Sequence, residues 1–226
     1  MSVAPKAPTV DECLGCNGQD KPYRSFLILH DLFSRHNVGN VIRSASAMGV
    51  SAVLIVGLKK FRLFGAHRSD KFIPILTFDT LEEAREYCHA RECQIVGIEI
   101  LDEAQSLLAP DAFRGNTAFF PGNEGLGMSE RARSICDRFV YLPQYGGGTA
   151  SMNVTVATSI SLHYFAAWSG MAERERQGEK FVLDELVPKT EGSPEEIAAA
   201  DARRAATAAA MAAALDEGVS LELFDE

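Results

Sequence analysis

Three short segments combine glycines with polar side chains at spacings that could bind a ligand and act on it. They are residues 37–43 (NVGNVIR), 120–127 (FPGNEGLG) and 142–153 (LPQYGGGTASMN). Each comes after a short apolar run that predicts a buried strand. Because parallel α/β sheets bind ligands outside the carboxyl ends of their strands, we expect the three segments to form one site.

The polar groups of these segments suit a reaction in which negative charge grows on an oxygen atom. Arg43 offers a guanidinium, which binds oxyanions with a fork of N–H donors. Glu124 lies at the apex of a glycine turn, and the glycines at 146–148 allow the backbone to approach a ligand closely. Ser151 and Asn153 precede a predicted helix whose first N–H groups are free. Singly, each group also has a plain structural explanation, such as a surface arginine, a solvated loop or a helix cap.

The elements that must position these segments alternate between strands and helices. Apolar runs predict strands at residues 25–30, 52–56, 94–98, 117–120 and 139–142, and helical spacing predicts helices at 37–48, 80–90, 129–136 and 153–168. Asn37 is placed to cap the first helix and Gly49 to end it, while Thr80 and Glu83 form a capping box. This alternation predicts an α/β fold, a mostly parallel sheet with helices on both faces.

Composition and charge set the class of protein. The 226 residues are 46% hydrophobic and 23% charged, which is ordinary for a globular chain. The net charge is −9, but residues 171–226 carry nearly all of it, so a near-neutral body can still present a basic patch to RNA. No apolar run is long enough to cross a membrane, and the first residues do not resemble a signal peptide. We therefore expect a soluble intracellular protein, cytoplasmic by default with an organelle left open, and no membrane partner.

Changes in composition divide the chain into three parts. Residues 1–22 are proline-rich and lack periodicity, which predicts a flexible N-terminal arm. Residues 23–170 contain all the predicted strands. Residues 171–226 form an acidic, Ala-rich extension, which is predicted to be helical because Ser193 and Pro194 make a strong helix start.

Other patterns point more weakly to function. Cys13 and Cys16 have redox or zinc-ligand spacing, but no second pair follows and no metal is expected. The glycine turn at 122–127 does not match the G-x-G-x-x-G pattern of a nicotinamide dehydrogenase. A basic cluster with interleaved aromatic residues follows the second predicted strand. Such a cluster is typical of an RNA-facing loop, or of a solvated loop with buried phenylalanines. It comprises Lys59, Lys60, Arg62, His67, Arg68 and Lys71, with Phe61, Phe64 and Phe72.

In order and spacing, the three segments resemble the three motifs of the SPOUT superfamily, in its SpoU/TrmH branch of RNA ribose 2′-O-methyltransferases. Those motifs read N-x-G-x-x-x-R, G-x-E-G-x-G and a proline-containing loop that ends in S-[LM]-N-x-[ST]. The resemblance covers about residues 25–169 and leaves out the arm and the extension. It implies a C-terminal trefoil knot, S-adenosylmethionine bound within the knot, and a homodimer packed through the helices beside it.

The resemblance also implies roles for individual residues. The family's catalytic arginine falls on Arg43, surrounded by Asn37, Glu124, Ser151 and Asn153. The methyl donor would contact residues of the second and third segments and of the third predicted strand, namely Ile98, Gly122, Asn123, Gly125, Leu142 and Met152. The third motif often reads I-P-M where this chain has Leu-Pro-Gln, a departure that concerns the shape of the donor pocket.

These roles predict an S-adenosylmethionine-dependent enzyme that methylates a ribose 2′-hydroxyl of tRNA or rRNA, with DNA not expected as a partner. A guanidinium stays protonated near neutral pH, so we assign Arg43 to phosphate binding and alkoxide stabilisation rather than to general-base catalysis. Two alternatives remain: a knotted methyltransferase that modifies a base nitrogen, and a non-catalytic RNA-binding protein with the same fold.

Overall fold

The computed structural model describes residues 23–30, 35–57, 66, 68–123 and 127–183, without the side chains of residues 35 and 36. Four helices lie in this part of the chain: α1 (Arg35–Ala47), α2 (Leu81–His89), α3 (Glu130–Ser134) and α4 (Val154–Trp168). A short 3-10 turn spans Ser69–Lys71. None of the helices in the described ranges combines the length and the apolar character needed to cross a membrane.

Seven of the strands form one sheet. They are β1 (Ser25–His30), β2 (Ala52–Val56), β3 (Ile75–Phe78), β4 (Gln94–Ile98), β5 (Gln105–Ser106), β6 (Thr117–Pro121) and β7 (Arg138–Tyr141). Their order is β3-β2-β1-β6-β4-β7-β5, and every pairing is parallel. The five predicted strands are confirmed, within one residue at each end, as β1, β2, β4, β6 and β7.

Helices cover both faces of the sheet, as predicted. Helices α1 and α4 pack on the first face against alternate strand residues, which include Leu27, Leu29, Val53, Ile55, Val96 and Phe119. Helices α2 and α3 pack on the second face against the residues in between, which include Phe26, Ile28, Leu54, Ile95, Ala118 and Phe120. Because side chains alternate along a strand, burial on both faces requires the continuous apolar runs seen in the sequence.

The predicted helix ends are mostly confirmed. Thr80 Oγ1 accepts a hydrogen bond from the Glu83 N–H (3.2 Å), and the Glu83 carboxylate accepts one from the Asp79 N–H (3.0 Å). After α1, Gly49 takes a left-handed conformation with φ 68°, and Val50 N–H donates to Ala45 O (3.0 Å), as in a Schellman motif. The prediction that Asn37 caps α1 is wrong, because α1 begins at Arg35 and Asn37 is already inside the helix.

Several elements were absent from the sequence prediction. Strand β3 adds one edge of the sheet, and the two-residue strand β5 adds the other. After α4, an antiparallel pair of two-residue strands, β8 (Arg176–Gln177) and β9 (Lys180–Phe181), begins the segment predicted as an extension. The helix predicted from Ser193, the arm at residues 1–22 and the Cys13–Cys16 pair lie outside the described residues.

Candidate functional site

The order of the strands creates a crevice where the first two segments leave the sheet. Strands β1 and β6 are neighbours, but the helix after β1 covers the first face while the helix after β6 covers the second. Open parallel sheets bind ligands outside the carboxyl ends of strands at such a switch point. Residues 37–43 follow β1 and residues 122–127 follow β6, so both segments start from this crevice.

Hydrogen bonds join the first segment to the third. Asn153 caps α4, with its Oδ1 accepting from the Thr155 N–H (2.9 Å). Asn153 Nδ2 donates to Asn37 Oδ1 at 3.4 Å, and Thr155 Oγ1 donates to the same oxygen at 3.3 Å. Further along the two helices, Ser159 Oγ donates to Ser44 Oγ at 2.8 Å. Asn37, which was expected to cap α1, therefore links α1 to the N-terminus of α4, and the two linked asparagines are 116 residues apart in the sequence.

The second segment packs against the end of β4. Gly122 N–H donates to the Ile98 carbonyl (3.1 Å), and Gly127 N–H donates to the Asn123 carbonyl (3.1 Å). Asn123 Oδ1 is buried and has no hydrogen-bond partner among the described residues. Three of the predicted donor-binding residues, Ile98, Gly122 and Asn123, therefore lie together at the carboxyl ends of neighbouring strands.

Glu99 is a site residue that the sequence analysis missed. Its carboxylate accepts hydrogen bonds from the Met128 N–H (2.9 Å) and the Ile100 N–H (3.1 Å). A Cβ on Gly122 would clash with Glu99 Oε2, and a Cβ on Gly127 would lie 3.0 Å from the same atom. The glycines of the turn thus leave room for this carboxylate. Its position directly after β4, at the carboxyl edge of the sheet, is the signal that could have found it.

The remaining predicted site residues fall into three groups. Leu142 is buried in the core of the first face, and Met152 is half-buried and packs on that core. Arg43 on α1 and Ser151 before α4 are exposed, and within the described part of the chain neither side chain hydrogen-bonds to another predicted site residue. Glu124 and Gly125 lie outside the described residues.

The other candidate groups are described only in part. In the basic cluster, Arg68 and Lys71 are exposed around the 3-10 turn, while its remaining basic residues lie outside the described ranges. The residues that are described contain no group of three His, Cys, Asp or Glu side chains that could hold a metal ion. Burial raises the pKa of the Cys136 thiol to about 12, so this residue is a neutral core side chain rather than a nucleophile.

Comparison with known proteins agrees with this geometry. The chain is 30% identical over 148 residues to the 23S rRNA (guanosine-2′-O-)-methyltransferase RlmB of Escherichia coli K12, an alignment that covers 63% of this chain and 59% of the relative. This chain thus matches about three-fifths of the length of that relative. Among solved structures, the TrmH/SpoU tRNA modifying enzyme of A. aeolicus superposes with a TM-score of 0.56 at 25% identity, covering 70% of this chain and 79% of the other.

A second solved structure has the same fold. The AdoMet-bound rRNA methyltransferase of Sinorhizobium meliloti gives a TM-score of 0.57 at 24% identity, covering 66% of this chain and 57% of the other. The sequence model of the SpoU rRNA Methylase family matches residues 24–163, which include the whole parallel sheet and most of α4. This chain therefore belongs to the SpoU rRNA methylase family.

Proposed function

We propose that this protein is an S-adenosylmethionine-dependent methyltransferase that modifies a ribose 2′-hydroxyl of tRNA or rRNA. The observation that carries the proposal is the joining of Asn37 to Asn153 and Thr155 beside the crevice at the ends of β1 and β6. Membership of the SpoU family supports the reaction type, and relatives named as rRNA 2′-O-methyltransferases support the substrate class.

The residues of the second segment fit the methyl donor. S-adenosylmethionine supplies an electrophilic methyl group when bound, and it carries amino and hydroxyl donors. The buried Oδ1 of Asn123, which no described residue satisfies, is an acceptor suited to one of those donors. Backbone groups at Ile98, Gly122 and Leu142 would hold the rest of the molecule, together with Gly125 and the Met152 side chain.

The catalytic roles follow from charge. A ribose hydroxyl is a poor nucleophile, so the site must orient it and stabilise the negative charge that grows on its oxygen. The Arg43 guanidinium would hold a neighbouring phosphate and stabilise that oxygen. Asn37, Ser151 and Asn153 would orient the hydroxyl or the guanidinium, and Glu124 would position the glycine turn.

The wider organisation is also part of the proposal. The seven-stranded sheet and α4 lie within residues 23–170, which supports a methyltransferase domain there, flanked by the arm (1–22) and the extension (171–226). The C-terminal trefoil knot is supported by membership of the SpoU family. Limited proteolysis that left a stable fragment lacking any part of residues 23–170 would contradict the proposed domain boundaries.

A homodimer is supported by an apolar stripe on α4. Val156 and Ile160, one helical turn apart, are 47% and 44% exposed, on the helix that carries the third segment. An unpaired stripe of this kind suits packing against a second copy of the chain. Analytical ultracentrifugation is expected to give twice the chain mass of 24.6 kDa, and a monomer at micromolar concentration would contradict the homodimer.

The activity is tested by methyl transfer to RNA with Arg43 variants. Arg43→Ala should lower turnover by roughly 100-fold, the scale for removing one group that stabilises an oxyanion, with donor affinity unchanged. Arg85→Ala is the matched control, because Arg85 is also exposed on a helix but lies on α2, across the sheet. Near-normal turnover in Arg43→Ala would show that Arg43 has no part in catalysis. If the transferred methyl group were found only on base nitrogens of the RNA, the assignment of the ribose hydroxyl as the acceptor would be wrong.

A further inference from the structure

A cavity of about 340 Å³ lies at the carboxyl edge of the sheet, on the second face. Its walls come from the ends of β1 and β2, the start of α2 and the start of α3, and they include His30, Val56, Asp79, Ser129 and Arg131. Its volume falls at the lower end of the range of about 300–1,000 Å³ for pockets that bind small ligands. None of these residues belongs to the three segments described above.

The cavity borders the crevice at the switch point. His30 ends β1, and its ring meets the ring of Phe120 in β6 edge to face, with centroids 6.4 Å apart. Ser129 follows Met128, whose N–H is held by Glu99 at the end of the glycine turn. The cavity is thus reached from the same edge of the sheet as the proposed methylation site, from the face opposite α1. A polymeric substrate bound in the crevice could place a neighbouring unit there.

The lining combines flat cationic or aromatic groups with hydrogen-bond acceptors. The Arg131 guanidinium is held by the Glu82 carboxylate through two hydrogen bonds, from Nε at 3.2 Å and from Nη2 at 2.9 Å. This contact lowers the pKa of Glu82 and keeps the pair ionised. The His30 imidazole supplies a second planar group, Asp79 a carboxylate, and Val56 a buried apolar wall.

This chemistry suits a heterocyclic base better than a phosphate group. Three carboxylates, those of Asp79, Glu82 and Glu83, crowd the start of α2 and would repel an anion. Unstacked RNA bases are recognised by stacking on His or Arg planes and by hydrogen bonds to their edges. A carboxylate accepts hydrogen bonds from the exocyclic amino group of a base, as aspartate and glutamate do from cytosine N4.

The geometry points to this cavity as a subsite for an unstacked RNA base with an exocyclic amino group, next to the nucleotide that is methylated. This assignment rests on the proposed function, since it requires an RNA substrate. Arg131 and His30 provide the planes for stacking, and Asp79 accepts the amino N–H.

The test compares two short RNAs that differ in that amino group. Fluorescence anisotropy of the full chain with labelled 12-residue oligo(C) and oligo(U) is expected to give about tenfold tighter binding of oligo(C). Asp79→Asn should reduce the ratio of the two affinities, because an amide offers one neutral acceptor in place of a carboxylate and adds a donor that can bind uracil O4. Asp102→Asn, an exposed aspartate between β4 and β5, is the matched control and should keep the preference.

Other results would overturn the assignment. Equal affinity for the two RNAs in the wild type, or an unchanged preference in Asp79→Asn, would rule out base recognition here while leaving the proposed function intact. If Arg131→Gln weakened both RNAs equally and reduced the salt dependence, Arg131 would be a phosphate contact and the subsite would be wrong. If neither RNA bound and no RNA accepted a methyl group, the proposed function would fail as well. Unchanged melting temperatures check that each variant is folded.

Discussion

Replacing Gly122 with alanine tests how the glycine turn is built around Glu99. The added Cβ would overlap Glu99 Oε2, the atom that accepts the Met128 N–H at 2.9 Å. Since a glutamate side chain is flexible, the carboxylate should move aside rather than the backbone. Its movement leaves the part-buried Met128 N–H without its partner.

The expected cost follows from that lost bond. A hydrogen bond to a charged group contributes about 1.5–3 kcal/mol to stability. The lower entropy of the unfolded chain with alanine offsets about 0.4–1 kcal/mol of this. Gly122→Ala should therefore lower the free energy of unfolding by about 0.5–2.5 kcal/mol, which is a fall of roughly 1–10 °C in melting temperature for a chain of this size.

A double-mutant cycle isolates the cause. In a Glu99→Ala background the clash is absent and only the entropy effect remains, so Gly122→Ala should raise the free energy of unfolding by about 0.4–1 kcal/mol. Urea unfolding followed by the fluorescence of Trp168, the single tryptophan, measures all four proteins. Gly146→Ala is the control, because a Cβ on Gly146 meets nothing within 4 Å. An equal cost of Gly122→Ala with and without Glu99 would refute the proposed packing of the turn.

Three further outcomes are expected. Asn153→Ala removes the cap of α4 and the link to Asn37, and should cost about 1–2 kcal/mol in urea unfolding; a cost within error of zero would count against that link. Thr80→Ala should cost about 1 kcal/mol and Thr80→Ser much less, because serine keeps the oxygen that accepts the Glu83 N–H; equal costs would contradict the cap. Burial raises the pKa of Cys136 to about 12, so its thiolate forms only as the pH approaches that value. Peptide mapping should therefore find negligible iodoacetamide labelling of Cys136 in the folded protein at pH 7–9. Rapid labelling in that pH range would show that Cys136 is accessible.

The strands that were predicted correctly can be recognised from their own residues. Runs such as Ala52–Val56 are apolar at every position because both faces of a parallel sheet are covered. Strand β5 could not be found in this way, since Gln105 and Ser106 are polar. It is held by a long-range contact instead: the Arg138 guanidinium on β7 donates to Gln105 Oε1 and to the Ala112 carbonyl. Such a strand is visible only once the sheet has formed.

The candidate site shows the same division between local and distant causes. The segments themselves could be identified from glycine and polar patterns, and the cap at Asn153 from its place before an apolar helix. The family resemblance placed Asn37 near Asn153, but local patterns could not give its hydrogen bonds, because its partners lie at the start of α4, more than 100 residues away. The position of Glu99 directly after a predicted strand was visible in the sequence, but its contact was not, since the N–H that it binds belongs to Met128, 29 residues further on.

Hydrogen exchange with and without S-adenosylmethionine tests most directly whether the second segment, the third segment and the end of β4 form one donor site. The full chain, incubated with saturating donor and analysed by mass spectrometry, should show slowed exchange in peptides covering residues 98–100, 120–127 and 142–153 together, with α2 unchanged. Protection confined to one of these peptides, or no protection at a concentration where calorimetry detects binding, would contradict a shared site at the carboxyl edge of the sheet.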